Sequence, residues 1–123
     1  MSEPVDVTTE ELARRLGEEG LTVLDVRTPD EYTGELGHYS DPRQGHVPGA
    51  RNLRIETLFA LPTVEAVREL VGLPEGAEII AYCHSGARSE AATQILRAAG
   101  YEARNYRGSW REWSRDESLP LET

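Results

Sequence analysis

Two apolar runs dominate the pattern of hydrophobic and polar positions along the chain. Residues 79–82 are continuously apolar, which predicts a short strand buried on both faces. Residues 21–27 predict a second strand that is apolar enough to be central in a parallel sheet. After residue 90 the apolar residues recur at helical spacing and predict a helix: Ala91, Ala92, Ile95, Leu96 and Ala99.

The remaining elements are predicted by capping residues, turn residues and short apolar periods. They are a strand at residues 5–7, helices that start near Thr8 and Pro29, a helical turn at 56–60, a helix over 63–71 and a last strand at 102–106. Residues 33–45 are rich in turn formers and predict a long surface loop. Trp110 and Trp113 are three apart and predict a packed helical face. Strands that alternate with helices imply a parallel sheet, whose ligands bind beyond the carboxyl ends of the strands.

Chain length and composition are typical of one soluble globular domain, which we expect to span residues 1–123. The chain has 123 residues, of which 38% are hydrophobic and 28% charged. No apolar run is long enough to span a membrane, and the N-terminus lacks the pattern of a signal peptide. We therefore expect no membrane association. We also expect a monomer or a weak homodimer.

Charge and cysteine content narrow the possible partners and compartment. The formal net charge of −9 argues against nucleic acid as the main partner, because phosphates would be repelled. A single cysteine cannot form an internal disulfide, and a lone thiol suits the reducing cytoplasm. The sequence thus predicts a cytoplasmic protein.

That single cysteine, Cys83, lies where a predicted strand ends and a predicted helix begins. A loop that turns into a helix N-terminus directs several backbone N–H groups at one point, which favours an anion and lowers the pKa of a thiol. Arg88 adds a fixed positive charge suited to an anionic substrate, and Gly86 can adopt backbone angles that strain other residues. The pattern therefore predicts a reactive cysteine rather than an inert buried one.

Four segments resemble motifs of the rhodanese-type sulfurtransferases and occur in the expected order. Tyr-Cys-His-Ser-Gly-Ala-Arg-Ser at 82–89 resembles the active-site loop, and Asp-Val-Arg-Thr-Pro-Asp-Glu-Tyr at 25–32 matches D-x-R-x-x-x-E-[FY]. Gly-His-Val-Pro-Gly-Ala-Arg-Asn at 45–52 resembles G-H-[IV]-P-G-A-x-N. Residues 107–113 resemble the closing G-G-W-x-x-W, with Ser109 in place of the second glycine. The resemblance implies an α/β fold, a rhodanese-like single domain with a central parallel sheet of about five strands flanked by helices on both faces.

The same resemblance implies sulfur transfer through a persulfide on Cys83. The expected donor is a small sulfur anion such as thiosulfate or another persulfide, and the expected acceptor is cyanide, a thiol or a protein. The residues implied to bind substrate are His84, Ser85, Gly86, Ala87, Arg88 and Ser89. Asp25, Arg27 and His46 are expected to support the site, with the His46 imidazole tying loops together by hydrogen bonds. No cofactor and no metal are expected, since His38 has no spacing to a cysteine or second histidine that indicates a metal site.

The choice of donor depends on two further segments. The 33–45 loop and the C-terminal ending resemble the catalytic C-terminal half of two-domain thiosulfate and mercaptopyruvate sulfurtransferases, without the inactive N-terminal half. The loop after Cys83 departs from the C-G-x-G-V-T-A pattern of the mercaptopyruvate enzymes. This difference favours thiosulfate or a protein persulfide as donor.

Three alternatives remain open at this point. A related phosphatase family uses C-x5-R to surround a phosphoryl group, whereas Cys83 and Arg88 form the shorter C-x4-R. An arsenate reductase would share the cysteine chemistry. The third alternative is a non-catalytic binding module, or a redox-sensing module whose cysteine only reports oxidation. Many rhodanese-like domains lack the cysteine, whereas this chain has both Cys83 and Arg88, which favours the sulfurtransferase.

Overall fold

The structure is a computed structural model that describes residues 6–123 and contains five strands and six helices. In chain order these are β1 (Asp6–Val7), α1 (Thr9–Arg14), β2 (Leu21–Asp25), α2 (Pro29–Thr33), β3 (Arg51–Asn52), α3 (Ile55–Phe59), α4 (Val64–Val71), β4 (Glu78–Tyr82), α5 (Ala87–Ala98), β5 (Glu102–Tyr106) and α6 (Ser109–Trp113). Val5 of the predicted first strand lies outside the described residues. Within them, no helix is long and apolar enough to cross a membrane.

The five strands form one parallel sheet in the order β1-β5-β4-β2-β3. The central strand β4 is paired with β2 on one side and with β5 on the other. In this register Asp25, the last residue of β2, lies beside Tyr82, the last residue of β4. Because all strands are parallel, Asp25 and Cys83 are brought to the same edge of the sheet.

Helices cover both faces of this sheet, as predicted. Successive residues of a strand point to opposite faces, so Ile79 enters one core and Ile80 the other. The Ile79 core is closed by apolar residues of α3, α4 and α5, and the Ile80 core by Leu12 of α1 and the two tryptophans of α6. The expected core role of Trp110 and Trp113 is confirmed, since both side chains are fully buried.

Caps explain several of the helix boundaries. The Thr8 hydroxyl accepts the Glu11 N–H at the start of α1, and Thr28 and Glu31 form a capping box on α2. Gly72, with a φ of 73°, ends α4 directly after residue 71, where the predicted 63–71 helix ends. Strand β3 was not predicted, because a two-residue edge strand has no apolar period and forms only through its pairing with β2.

The 33–45 segment is irregular, as predicted, and its arginine fixes it to the C-terminal region. The Arg43 guanidinium donates to the carbonyl oxygens of Trp113, Ser114, Asp116 and Leu119. Asp41 is buried within the segment. The segment is therefore more than a solvated surface loop, and it brings polar side chains to the carboxyl edge of the sheet.

Candidate active site

Cys83 directly follows β4 and begins a tight loop that leads into α5. Gly86, with a φ of 96°, makes this turn, and a Cβ at this position would lie 2.5 Å from the Arg107 carbonyl oxygen. Only glycine fits both the backbone angle and this close approach. The loop is also held by α6, because the N–H groups of Trp110 and Arg111 donate to the carbonyl oxygens of Cys83 and His84, each at 2.9 Å.

The Cys83 sulfur is surrounded by hydrogen-bond donors of this loop. The Gly86 N–H donates to Sγ at 3.1 Å, and the N–H and hydroxyl of Ser89 each lie 3.4 Å away. Burial by itself raises the pKa of the thiol, but the Ser89 hydroxyl and the N–H groups of Ser89, Gly86 and Ser85 outweigh it and lower the pKa below its ordinary value. The loop therefore stabilises a negative charge on sulfur.

Ser109 supports the loop from α6, a role that was not predicted from the sequence. Its hydroxyl oxygen accepts the Cys83 N–H at 3.1 Å and lies 3.9 Å from Sγ, while its O–H donates to the Tyr106 carbonyl oxygen at 2.8 Å. Its φ of 54° is in the left-handed region. The motif G-G-W-x-x-W has a glycine at this position. The departure from G-G-W-x-x-W was the available signal, since a serine at a glycine position brings a hydroxyl group.

Asp25 and Arg27 form a fully buried ion pair beneath the site, which the sequence did not indicate. The Arg27 Nη2 donates to Asp25 Oδ2 at 2.7 Å and to the Gly45 carbonyl oxygen at 2.6 Å. The Tyr82 hydroxyl donates to Asp25 Oδ2 at 2.7 Å and accepts the Val47 N–H at 3.0 Å. This cluster ties the ends of β2 and β4 to the 45–47 segment.

His46 connects loops, as expected, and its contacts are on the C-terminal segment and α2. The ring stacks on Tyr32 with 3.7 Å between centroids, and Nδ1 donates to the Tyr32 carbonyl oxygen at 2.7 Å. The backbone of His46 exchanges two hydrogen bonds with Glu122. These contacts give His46 a structural position at the periphery of the site.

Arg88 is not a free cation, which modifies the expectation that it serves mainly an anionic substrate. Its Nη1 and Nη2 donate to the two carboxylate oxygens of Glu31 at 2.9 and 3.1 Å. Burial alone would raise the pKa of Glu31, but Arg88 and the Thr28 N–H hold it at about 2. The sequence pattern contains Glu31, but nothing local indicates that its partner is Arg88 on another helix.

The other loop residues differ in exposure. Ser85 and Ala87 are exposed, while His84 is partly buried and lies against the 33–45 segment.

Two clefts flank the loop. One, of about 370 Å³, is lined by Thr28, Glu31, Leu36, Gly37, His38, His84 and Arg88. The other, of about 690 Å³, contains Ser85 together with Arg107, Arg111 and Arg115. Small substrates can therefore approach the loop from two sides.

Comparison with known proteins gives consistent matches. The family model of the rhodanese-like domain matches residues 8–116. The sulfur carrier protein TtuD of Thermus thermophilus is 33% identical over 80% of the chain and 40% of its own length. The thiosulfate sulfurtransferase of Pseudomonas aeruginosa is 33% identical over 94% of the chain and 45% of its own length. A crystal structure of a probable thiosulfate sulfurtransferase superposes with a TM-score of 0.83 and 41% identity, over 97% of the chain and 48% of that protein. The chain thus spans less than half the length of these relatives.

Proposed function

The chain belongs to the family of rhodanese-like domains, and we propose that it is a sulfurtransferase that moves sulfane sulfur through a persulfide on Cys83. The observation that carries this proposal is the ring of donors from Gly86 and Ser89 around Sγ. The relatives named thiosulfate sulfurtransferase support it as well. We further propose that residues 1–123 act as a single domain in a reducing cytoplasm, where the thiol stays free.

In the first step the Cys83 thiolate attacks the outer sulfur of thiosulfate. The sulfur–sulfur bond of thiosulfate breaks, sulfite leaves with the electron pair of that bond, and a new bond joins the outer sulfur to Sγ. The loop N–H groups already hold negative charge on Sγ, and such preorganised donors need no rearrangement when the charge moves to the outer sulfur.

In the second step a nucleophilic acceptor attacks the outer sulfur of the persulfide. The bond to Sγ breaks, and Cys83 recovers its electron pair as a thiolate. The lowered pKa of Cys83 favours this step too, because a stable thiolate is a good leaving group. Cyanide, a small thiol or a protein thiol can serve as acceptor. The Cys83 side chain is itself buried, and the two clefts beside it are lined by the loop residues His84 and Ser85.

The test is mass spectrometry combined with an acceptor assay. Incubation with thiosulfate should add one sulfur atom to the wild-type chain, on the peptide that contains Cys83, and cyanide should remove it as thiocyanate. Because Cys83 is the only cysteine, Cys83→Ser removes every thiol and should abolish both events. Equal thiocyanate production by Cys83→Ser would contradict the proposal. Oxidation of Cys83 without sulfur transfer would favour the redox-sensing module, and a higher kcat/KM with mercaptopyruvate than with thiosulfate would reverse the donor preference.

A further inference from the structure

Three metal-ligating side chains converge beside the Cys83 loop, although they are scattered in the sequence. His38 and Asp41 belong to the irregular 33–45 segment, and His84 directly follows Cys83. One ligand atom from each of these residues lies within 4.8 Å of those of the other two. The tertiary structure therefore assembles a set of two imidazoles and one carboxylate that no local spacing indicated.

The carboxylate of this set is buried, and one of its oxygens has no hydrogen-bond partner. The Asp41 side chain is 0% exposed, and its Oδ1 accepts from Arg115 Nη1 at 3.0 Å. Oδ2 lies 2.9 Å from Nε2 of His84, yet the two atoms do not have hydrogen-bond geometry, and both remain buried without a partner. A buried carboxylate oxygen without a hydrogen-bond partner is costly, and a cation bound between these two atoms would satisfy both of them.

The distance between these two atoms is slightly shorter than that between two ligands of one zinc ion. Zinc–nitrogen and zinc–oxygen bonds are each about 2.1 Å and zinc sites are tetrahedral, so two ligands lie about 3.4 Å apart. The observed distance between Asp41 Oδ2 and His84 Nε2 is 2.9 Å. Binding of an ion would therefore require a rotation of the partly buried His84 ring.

His38 lies on the solvent side of this pair and can contribute a third ligand atom. Its Nδ1 accepts the Ser40 N–H at 3.1 Å, which leaves Nε2 for an ion. Its ring stacks on that of His84 with 4.9 Å between centroids and an interplanar angle of 15°. Because imidazole lone pairs lie in the ring plane, the His38 ring must turn out of this stack to bind the same ion, and its exposure allows this without disturbing the core. Arg115, which holds Asp41 Oδ1, plays the part of an outer partner that orients a metal ligand.

We propose that His38, Asp41 and His84 bind one divalent transition-metal ion of the zinc class. Imidazole and carboxylate are ligands that zinc and its neighbours accept, and three protein ligands leave a further position for water or an anion. Cys83 is outside the set, because its sulfur is held by the donors of its own loop. The ion joins the 33–45 segment to the active-site loop, and sulfur transfer does not require it.

The test is titration of the purified full chain with Co²⁺, followed by its visible ligand-field absorption, and then displacement by Zn²⁺. We expect one ion per chain, with no near-ultraviolet charge-transfer band of the kind that a thiolate ligand produces. Cys83→Ser should bind with unchanged affinity and spectrum. A charge-transfer band that disappears in Cys83→Ser would overturn the ligand set, and so would the absence of stoichiometric binding.

Substitution of each ligand completes the test. Loss of a residue that only orients a metal ligand costs about 10–100-fold in metal affinity, and loss of the ligand itself should cost at least as much. We therefore expect a decrease in affinity of at least ~10-fold in each of three variants: His38→Ala, Asp41→Asn and His84→Ala. His46→Ala is the matched control, because His46 lies outside the cluster, and it should leave binding unchanged. His38 is exposed, so His38→Ala keeps the test decisive even if Asp41→Asn does not fold. Binding that survives His38→Ala and His84→Ala would refute the site, and a simple ion pair between Asp41 and His84 would then explain their proximity.

Discussion

Glu31 occupies both Nη groups of Arg88, and replacing it with glutamine tests what that guanidinium does in the site. Glutamine has nearly the shape of glutamate, and its side-chain oxygen can still accept the Thr28 N–H that belongs to the capping box of α2. Glu31→Gln therefore removes one negative charge and leaves the helix start in place. If Arg88 binds the anionic donor, the donor must compete with Glu31 for the guanidinium.

The size of the effect follows from the exposure of the ion pair. The Arg88 side chain is 34% exposed and that of Glu31 is 20% exposed, so solvent screens the pair considerably. Ion pairs of this kind contribute up to about 1 kcal/mol, which corresponds to about fivefold in an equilibrium constant. We expect Glu31→Gln to lower the KM for thiosulfate by ~5-fold, with little change in kcat.

The assay is steady-state thiocyanate formation in the wild type, in Glu31→Gln, in Arg88→Ala and in the double variant. Arg88→Ala should lower kcat/KM by ~10–100-fold, the size of one or two lost charge-assisted contacts. In its background, Glu31→Gln should have no effect on KM, because the cation that it liberates is gone. A higher KM in Glu31→Gln alone, or an equal decrease in both backgrounds, would refute the reasoning and would show that the pair only holds the loop against α2.

Three further predictions concern stability. Asp25→Ala leaves the buried Arg27 unpaired and should lower the free energy of unfolding, measured by urea titration, by about 3–5 kcal/mol. The exposed control Asp30→Ala should lower it by no more than ~0.5 kcal/mol. A loss below ~1 kcal/mol in Asp25→Ala would show that other groups solvate the Arg27 guanidinium. Because the pKa of Glu31 is about 2 in the folded chain and 4.5 ordinarily, its carboxylate stabilises the fold above about pH 4.5, and this contribution is lost as the pH falls through 2. Unfolding midpoints should thus fall more between about pH 5 and 3 in the wild type than in Glu31→Gln, and parallel decreases would contradict this. Ser109→Ala removes the hydroxyl that accepts the buried Cys83 N–H but keeps a Cβ in the left-handed region, whereas Ser109→Gly removes both. The free energy of unfolding of Ser109→Ala should therefore be ~1–2 kcal/mol lower than that of Ser109→Gly, and both should be lower than that of the wild type. The opposite order of the two variants would contradict the strain argument.

Local features of the chain were sufficient to predict most of the fold. The largely apolar segment at 21–27 and the apolar run at 79–82 predicted β2 and β4, because a parallel strand buried on both faces needs apolar residues along most of its length. Threonine caps and glycine stops predicted helix boundaries, because each of these residues acts on the backbone within a few positions of itself. The position of Cys83 between strand and helix likewise predicted the donors around its sulfur.

The tertiary structure decided which distant side chains surround that loop. The partners Glu31 and Arg88 are 57 residues apart, and Cys83 and Ser109 are 26 apart, so neither pair lies within the reach of a helical or strand period. Strand β3 and the grouping of His38 and Asp41 with His84 have the same origin, because they exist only where separate segments meet at the carboxyl edge of the sheet. Secondary structure depends on contacts between near neighbours in the chain, so sequence patterns predict it. Ion pairs and ligand sets depend on the packing of separate elements against one another, so no local pattern predicts them.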